Sequence, residues 1–374
     1  MMLLKKIGKI STGNTPSKKH REYYNSDDIG FVKPDSISDT VITEINKTSS
    51  FISENAREKA RVASKGSILI TCIGSVGKVG IVTEGEYAFN QQINAIMPNE
   101  DVNQKYLAYN LLYNKQRLIN IANAPVVPIV NKTQLENFEI NFDSNIDAQK
   151  KIVEQLDGIA LVIDKRKKQL DVLDELIKAR FVEVFGDPVL NSMKWEEHKL
   201  SEYILFMTSG SRGWSKYFTG DGSEVFITIK NVKNNKITLK EIQFVNAPDD
   251  KEAKRTKVQA GDLLISITAD LGRTGVVSNE IAKQGAYINQ HLSLIRLDVS
   301  KINPHFVSYY LETEAGKRQF ASKNQSAVKA GLSFESIRSL KILVPPMEVQ
   351  RDYVLFVEQV DKSKLQVYQY MVAN

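Results

Sequence analysis

Ala63-Ser64-Lys65-Gly66-Ser67-Ile68-Leu69-Ile70-Thr71 and, in the second half of the chain, Gln259-Ala260-Gly261-Asp262-Leu263-Leu264-Ile265-Ser266 are one pattern written twice. Each sets a glycine just before a short run of Ile, Leu and a hydroxyl residue, the composition of a buried strand entered from a tight turn. A second glycine turn follows each, Gly74-Ser75-Val76-Gly77-Lys78-Val79-Gly80 in the first half and Leu271-Gly272-Arg273-Thr274-Gly275 in the second. Both then reach an amide-rich triplet, Asn90-Gln91-Gln92 before Ile93 and Asn289-Gln290-His291 before Leu292. The period is about half the chain, far too long for a solenoid, so the repeat predicts two duplicated domains.

Working outward, Ser11-Thr12-Gly13 matches Thr208-Ser209-Gly210, and Phe31-Val32-Lys33 matches Phe226-Ile227-Thr228-Ile229-Lys230. Downstream, a helical stretch (Gln104 to Asn120; Pro304 to Ala321) precedes an apolar segment ending in Phe138-Glu139-Ile140 or Leu340-Lys341-Ile342. Each copy thus reads as a mixed α+β domain running into a long helix. From Gln149 to Phe181 there is no Pro and one Gly, Gly158, while Ile152, Leu156, Ile159, Ile163, Leu170, Leu173 and Ile177 recur at alternating four- and three-residue spacing, with Arg166 in the skipped place. That is a coiled-coil seam needing one partner helix. The partner is offered by Tyr353, Val357, Val360, Lys364, Val367 and Met371. At helical rise the first helix is about 50 Å long and the second, which looks cut short, about 40 Å. Lys165-Arg166-Lys167-Lys168 reads first as a solvated charge run.

A chain of 374 residues fits two domains and connecting elements. A hydrophobic fraction of 42% and a charged fraction of 25% suit a soluble globular protein, and no window is apolar over the length that crosses a bilayer. Met1 to Gly8 has no apolar core or cleavage site of an export signal, and the lone Cys72 fits a reducing compartment, so the expected location is cytoplasmic. A net charge of +6 permits a polyanionic partner without establishing one.

The chemistry of an enzyme is hard to place. His20, His198, His291 and His305 are scattered without metal-ligand spacing, and the expectation is no metal site. Gly74 to Lys78 is not a phosphate loop: Cys72 stands where the leading glycine belongs, and Val79 replaces the magnesium-binding hydroxyl. No Asn/Asp-Pro-Pro-aromatic run of an amino-methyltransferase occurs, since Pro345-Pro346 lacks both flanks. Pro34-Asp35 and Pro248-Asp249 open no nuclease motif, because Glu252 and Lys254 are too close to supply its later members.

Taken in order, several pieces resemble the specificity subunits of type I restriction-modification systems. They are Ile10-Ser11-Thr12-Gly13-Asn14-Thr15-Pro16-Ser17-Lys18, the strand and turn from Gly66 to Gly80, the Asn90-Gln91-Gln92 triplet, and Arg180-Phe181-Val182-Glu183-Val184-Phe185-Gly186-Asp187-Pro188. Val344-Pro345-Pro346-Met347-Glu348-Val349-Gln350, leading to Val357-Glu358-Gln359-Val360, completes the set. One departure is Asn141-Phe142-Asp143 where the second copy has Val344-Pro345-Pro346, which predicts a different lead-in to the first long helix.

The resemblance implies two similar mixed α/β target recognition domains, residues 1–147 and 187–346, joined by two long antiparallel coiled-coil helices, 148–186 and 347–374. It implies that each domain reads one half of a bipartite target in double-stranded DNA while the helices set the spacer and dock DNA methyltransferase subunits. It implies no catalytic residue and no cofactor on this chain, with S-adenosylmethionine, ATP and Mg held by partner subunits, a restriction/translocase subunit among them. Two alternatives stand beside it: a self-contained DNA methyltransferase or nuclease, and a coiled-coil scaffold that does not bind DNA.

For a DNA reader the residues divide by chemistry. Phosphate contacts need cations, hydroxyls and closely approaching backbone, which points to Ser75 and Lys78 in the first glycine turn, Arg273 in the second, and then Lys33 and Lys230. Base edges need groups that both donate and accept, which Asn90, Gln91 and Gln92, with Asn289, Gln290 and His291, supply; because the triplet recurs in both copies, capping or bridging strands within a domain is the reading favoured over base contact. Where the copies differ, Lys18 and Lys19 in 18–24 stand against Ser211 and Arg212 at the edge of 212–217, and 324–329 is a further candidate reader.

Overall fold

The computed structural model describes residues 1–122, 127–324 and 331–373, in two compact units, 1–164 and 165–374. The first unit is built on a five-stranded sheet in the order Gly8–Thr12, Ile93–Pro98, Ile68–Thr71, Val79–Val82, Thr43–Ile45. The run Ile68–Thr71 is buried along its whole length, as an apolar strand covered on both faces must be. Gly66, at a φ of +91°, supplies the left-handed turn into it. A four-stranded sheet, Phe51–Ile52, Ile29–Val32, Glu86–Phe89, Val62–Ser64, lies beside it, its central pair parallel.

The second unit repeats both sheets. Ile204–Ser209, Leu292–Leu297, Leu263–Ser266 and Thr274–Val276 match the first four strands of the larger sheet. Phe218–Thr219, Gln243–Val245, Glu224–Ile227 and Ala286–Ile288 form the other, again with one parallel pair. The helical stretches predicted over 104–120 and 304–321 are each two helices: Gln104–Tyr113 with Lys115–Asn120, and Pro304–Glu312 with Glu314–Ser322. The breaks fall at Asn114 and at Thr313, whose hydroxyl caps the helix that follows.

A helix of 40 residues, Ile146–Phe185, crosses the boundary between the units, and one of 27, Met347–Ala373, belongs to the second. Each starts on a fully buried glutamine. Gln149 accepts the Asn103 N–H at 2.8 Å and donates to the Asp143 carbonyl at 2.7 Å. Gln350 accepts the Asn303 N–H at 3.0 Å and donates to the Pro345 carbonyl at 2.7 Å. Both helix starts therefore share one hydrogen-bond pattern despite Asn141-Phe142-Asp143, because it uses carbonyls that any residue supplies.

Within the second unit the two helices pack antiparallel. Arg180 lies over Phe356, Tyr353 donates to the Ile177 carbonyl, Asp174 pairs with Lys364, and Arg166 lies over Tyr370, so one numbering falls as the other rises. Leu170, Val357, Val360 and Val367 are buried on this seam, and Leu173 and Ile177 are half-buried. Phe181 and Phe185 extend it into an aromatic cluster with Phe306 and Tyr353.

In the first unit the seam needs correcting. Ile152 and Ile159, expected on it, are 36% and 51% exposed, while Gln149 and Val153 are buried and Leu156 half-buried. The helix turns this face inward because Asp157 is bound there by Lys105 at 2.9 Å and by the Tyr109 hydroxyl at 2.8 Å, both from Gln104–Tyr113. Neighbouring helical residues point about 100° apart, so burying Val153 swings Ile152 outward.

Candidate nucleic-acid interface

In each unit the turns flagged by the repeat converge on one loop edge. In the first unit the Cys72 N–H donates to the Gln92 carbonyl at 2.7 Å, the Val130 N–H to the Cys72 carbonyl at 2.8 Å and the Gly74 N–H to the Pro128 carbonyl at 3.0 Å. In the second the Ile267 N–H donates to the His291 carbonyl and the Leu332 N–H to the Ile267 carbonyl, both at 2.9 Å. Gly13 and Gly210 lock the first strand against the triplet. A Cβ on Gly13 would lie 2.2 Å from the Asn90 carbonyl oxygen, and one on Gly210 would lie 2.1 Å from that of Asn289.

The glycine turns are closed by their own hydroxyls. Thr71 Oγ1 donates to the Ser75 carbonyl and accepts the Lys78 N–H at 3.0 Å; Ser266 Oγ donates to the Asp270 carbonyl and accepts the Arg273 N–H at 2.8 Å. With Gly77 and Gly272 at φ of +85° and +78°, these are tight turns rather than phosphate loops. They leave Ser75 at the surface.

The expected cations fall into two groups. Lys78 Nζ donates to the Pro34 carbonyl at 3.2 Å, Lys33 Nζ to Ser50 Oγ at 2.9 Å, and Arg273 is paired with Asp270. To hold phosphate these side chains must first give up those bonds. Lys18, Lys19, Arg212 and Lys230 are exposed, and their side chains make no hydrogen bond or ion pair among the described residues. Residues 325–329 of the remaining candidate reader lie outside the described residues.

The triplets separate by role. Asn90 and Asn289 are each 8% exposed and close their turns, Asn90 Oδ1 accepting the Gln92 N–H and Asn289 Oδ1 the His291 N–H, both at 3.2 Å. Their side-chain oxygens are thus engaged within the domain. Gln91 is exposed and Gln290 half-buried. Ser211 is buried and pairs as a bridge with Asn289, so its backbone, not a free hydroxyl, belongs to the edge.

Two residues that sequence reasoning missed hold these loops. Arg255 donates to Thr208 Oγ1, to the Ser209 carbonyl at 2.8 Å and to Ser211 Oγ at 3.2 Å. In the first unit Asn14 donates to the Lys59 carbonyl and accepts the Arg61 N–H at 2.7 Å. Both tie the loop to the segment just ahead of the repeated strand, a pairing with no local periodicity to betray it.

Nucleophilic chemistry is not set up here. Burial pushes the Cys72 thiol up to about 11, which keeps it protonated at neutral pH. Among the described residues no group of three or more His, Cys, Asp or Glu is placed to hold a metal, and no helix is long and apolar enough to cross a membrane.

A family model described as type I restriction modification DNA specificity domain matches residues 1–174 and again 193–369. The chain is similar to the type I restriction enzyme MjaIX specificity subunit of Methanocaldococcus jannaschii, with 24% identity over 94% of this chain and 84% of that relative. To the HindI specificity subunit of Haemophilus influenzae it is 35% identical over 112 residues, 30% of this chain and 24% of that one. Among solved structures, the type I restriction-modification S subunit from M. genitalium superposes with a TM-score of 0.56 at 15% identity, over 100% of this chain and 91% of that one. A structure reported for complex assembly and conformational transition of the type I restriction-modification system gives 0.59 at 16% identity, over 100% and 92%. These two likenesses concern the fold.

Proposed function

The chain belongs to the type I restriction modification DNA specificity family, and from that membership we propose that its two domains each read one half of a bipartite target in double-stranded DNA. As a specificity subunit it carries DNA recognition and performs no chemistry on the DNA. The observation that carries the bipartite reading is the duplicated loop edge. Two copies of one backbone hydrogen-bond pattern present different exposed side chains, Lys18 and Lys19 in one and Arg212 and Lys230 in the other. Unpaired cations of this kind supply phosphate attraction, and the loops between them carry the discrimination.

In this reading the long helices set the spacer and dock methyltransferase subunits. Support comes from apolar side chains left in water on helices that already have a buried seam: Val172 and Leu176 on one, Leu355 and Leu365 on the other. S-adenosylmethionine, ATP and Mg are assigned to those methyltransferase subunits and to a restriction/translocase subunit, and the assembly to the cytoplasm.

The test is selection from a randomised duplex pool by the purified chain, alone and with a type I methyltransferase subunit added, followed by methylation mapping. The expected result is a two-part consensus, salt-dependent binding and adenine methylation only in the presence of the partner. Methylation or cleavage by the chain alone supports the self-contained enzyme instead, and no salt-dependent binding in either arm supports the scaffold.

A further inference from the structure

The outward polarity of the first triplet is set by the backbone. The Gln92 N–H donates to Asn90 Oδ1 at 3.2 Å, which turns the Asn90 amide nitrogen to the other side, where it donates to Gln92 Oε1 at 2.9 Å. A backbone N–H can only donate, so this relay has a single reading. It occupies the Gln92 carbonyl and leaves its NH2 group without a hydrogen bond among the described residues. Because no buried side-chain polar atom among them lacks a partner, that free nitrogen reaches solvent. Gln91 beside it is arranged alike, its Oε1 accepting from Thr15 Oγ1 at 2.6 Å.

The second copy departs at this point. His291 stands in the place of Gln92, and both ring nitrogens are engaged, one with Thr268 Oγ1 and the other with Gln290 Nε2 at 3.0 Å. One N–H of the Gln290 amide is thereby used and its carbonyl oxygen left open.

We propose that Gln92 is a specificity-determining residue of the first domain that donates to the major-groove edge of a guanine, while the second domain offers an acceptor, Gln290 Oε1, one residue before the equivalent place. The proposal rests on the reading of the chain as a DNA specificity subunit. A free glutamine pairs with adenine in two directions, giving an N–H to N7 and accepting from N6. Turning its carbonyl toward Asn90 uses one of that oxygen's two lone pairs and aims it away from the accepting half. The NH2 group that remains matches guanine, whose O6 and N7 are two adjacent acceptors. The Gln290 carbonyl instead suits an exocyclic amine of cytosine or adenine.

The experiment uses whichever assembly selects DNA from the randomised pool. Gln92→Glu keeps one oxygen for Asn90 and converts the outward group from donor to acceptor. The expected result is that guanine gives way to cytosine at one position of one half-site, by roughly tenfold in preference, with the other half-site unchanged. Gln92→Leu should erase preference at that same position. His291→Gln should create a guanine preference at one position of the other half-site. If these variants bind and both half-sites keep the wild-type bases, or if binding falls evenly with no base changed, the proposal is overturned; should Gln92→Glu not fold, the other two substitutions decide. A wild-type assembly that enriches no two-part sequence sinks the specificity-subunit reading itself.

Discussion

The two copies agree in what the backbone does and part company in what side chains do. Gly13 and Gly210, Gln149 and Gln350, and Thr71 and Ser266 occupy matching places with matching bonds. Yet Lys105, which holds Asp157 at 2.9 Å in the first unit, is matched in the second by His305, which has no ion pair among the described residues. Tyr109 likewise is matched by Tyr309, whose hydroxyl burial holds far above its ordinary value. Duplication has kept the buried bonds that shape each domain and seat its helix, and released the exposed ion pair further along that helix.

The comparison breaks most completely if the domains are not independent readers. Exchanging residues 187–346 for the same region of another family member should replace one half-site wholly and leave the other intact, as methylation mapping would show. A change in both halves would mean that the units read jointly.

Next in size is the locked glycine. Gly13→Val or Gly210→Val drives a side chain into backbone 2.2 Å or 2.1 Å away, at a cost of about 3 kcal/mol, and urea titration should show equal losses in the two units. Gln149→Leu and Gln350→Leu each strand a buried N–H and a carbonyl, about 2 kcal/mol in either copy. A loss at one glutamine only would show the matching geometry to be unequal in energy.

The smallest effects sharpen the difference between the copies. Asp157→Asn breaks an exposed pair worth about 0.5 kcal/mol and should show a salt dependence that Glu358→Gln lacks. His305 is the pH-sensitive counterpart: burial lowers its pKa from 6.5, with Glu358 partly opposing. The unfolded chain then takes up a proton that the folded second unit refuses. Stability contributed by the neutral ring is therefore present above about pH 6.5 and declines as pH falls below it. His198, raised by Glu202 and Glu196, works in the opposite sense, stabilising at low pH and ceasing as pH rises through its folded value. Thermal melts of wild type and His305→Gln from pH 7.5 to 5 should isolate the first effect as a smaller acid loss in the variant.

Duplication was legible in the sequence because glycines and triplets recur at fixed offsets, and the long helix because nothing in it breaks a helix. The flank of the seam was not. Ile152 and Val153 are both apolar and adjacent, and only the tertiary bonds from Lys105 and Tyr109 decide which is buried. Arg255 and Asn14 were hidden for a related reason, since their partners are distant in the chain and are backbone or hydroxyl oxygens and backbone amides of no distinctive residue type. The cations illustrate a further limit: composition counts Lys78 and Arg273 equally with Lys18 and Arg212, but neighbours have already engaged the first two.

The aromatic cluster of Phe181, Phe185, Phe306 and Tyr353 has a consequence for the order of events during synthesis. Residues 1–164 hold every strand of the first unit, so that unit can close while translation continues. Phe181 and Phe185 emerge next with only each other for ring contact, and stay uncovered until the ribosome has passed Phe306, the cluster closing only with Tyr353. The nascent chain thus carries two adjacent naked phenylalanines through most of the second unit's elongation, which makes this segment the natural place for a chaperone to bind and for misassembly to begin.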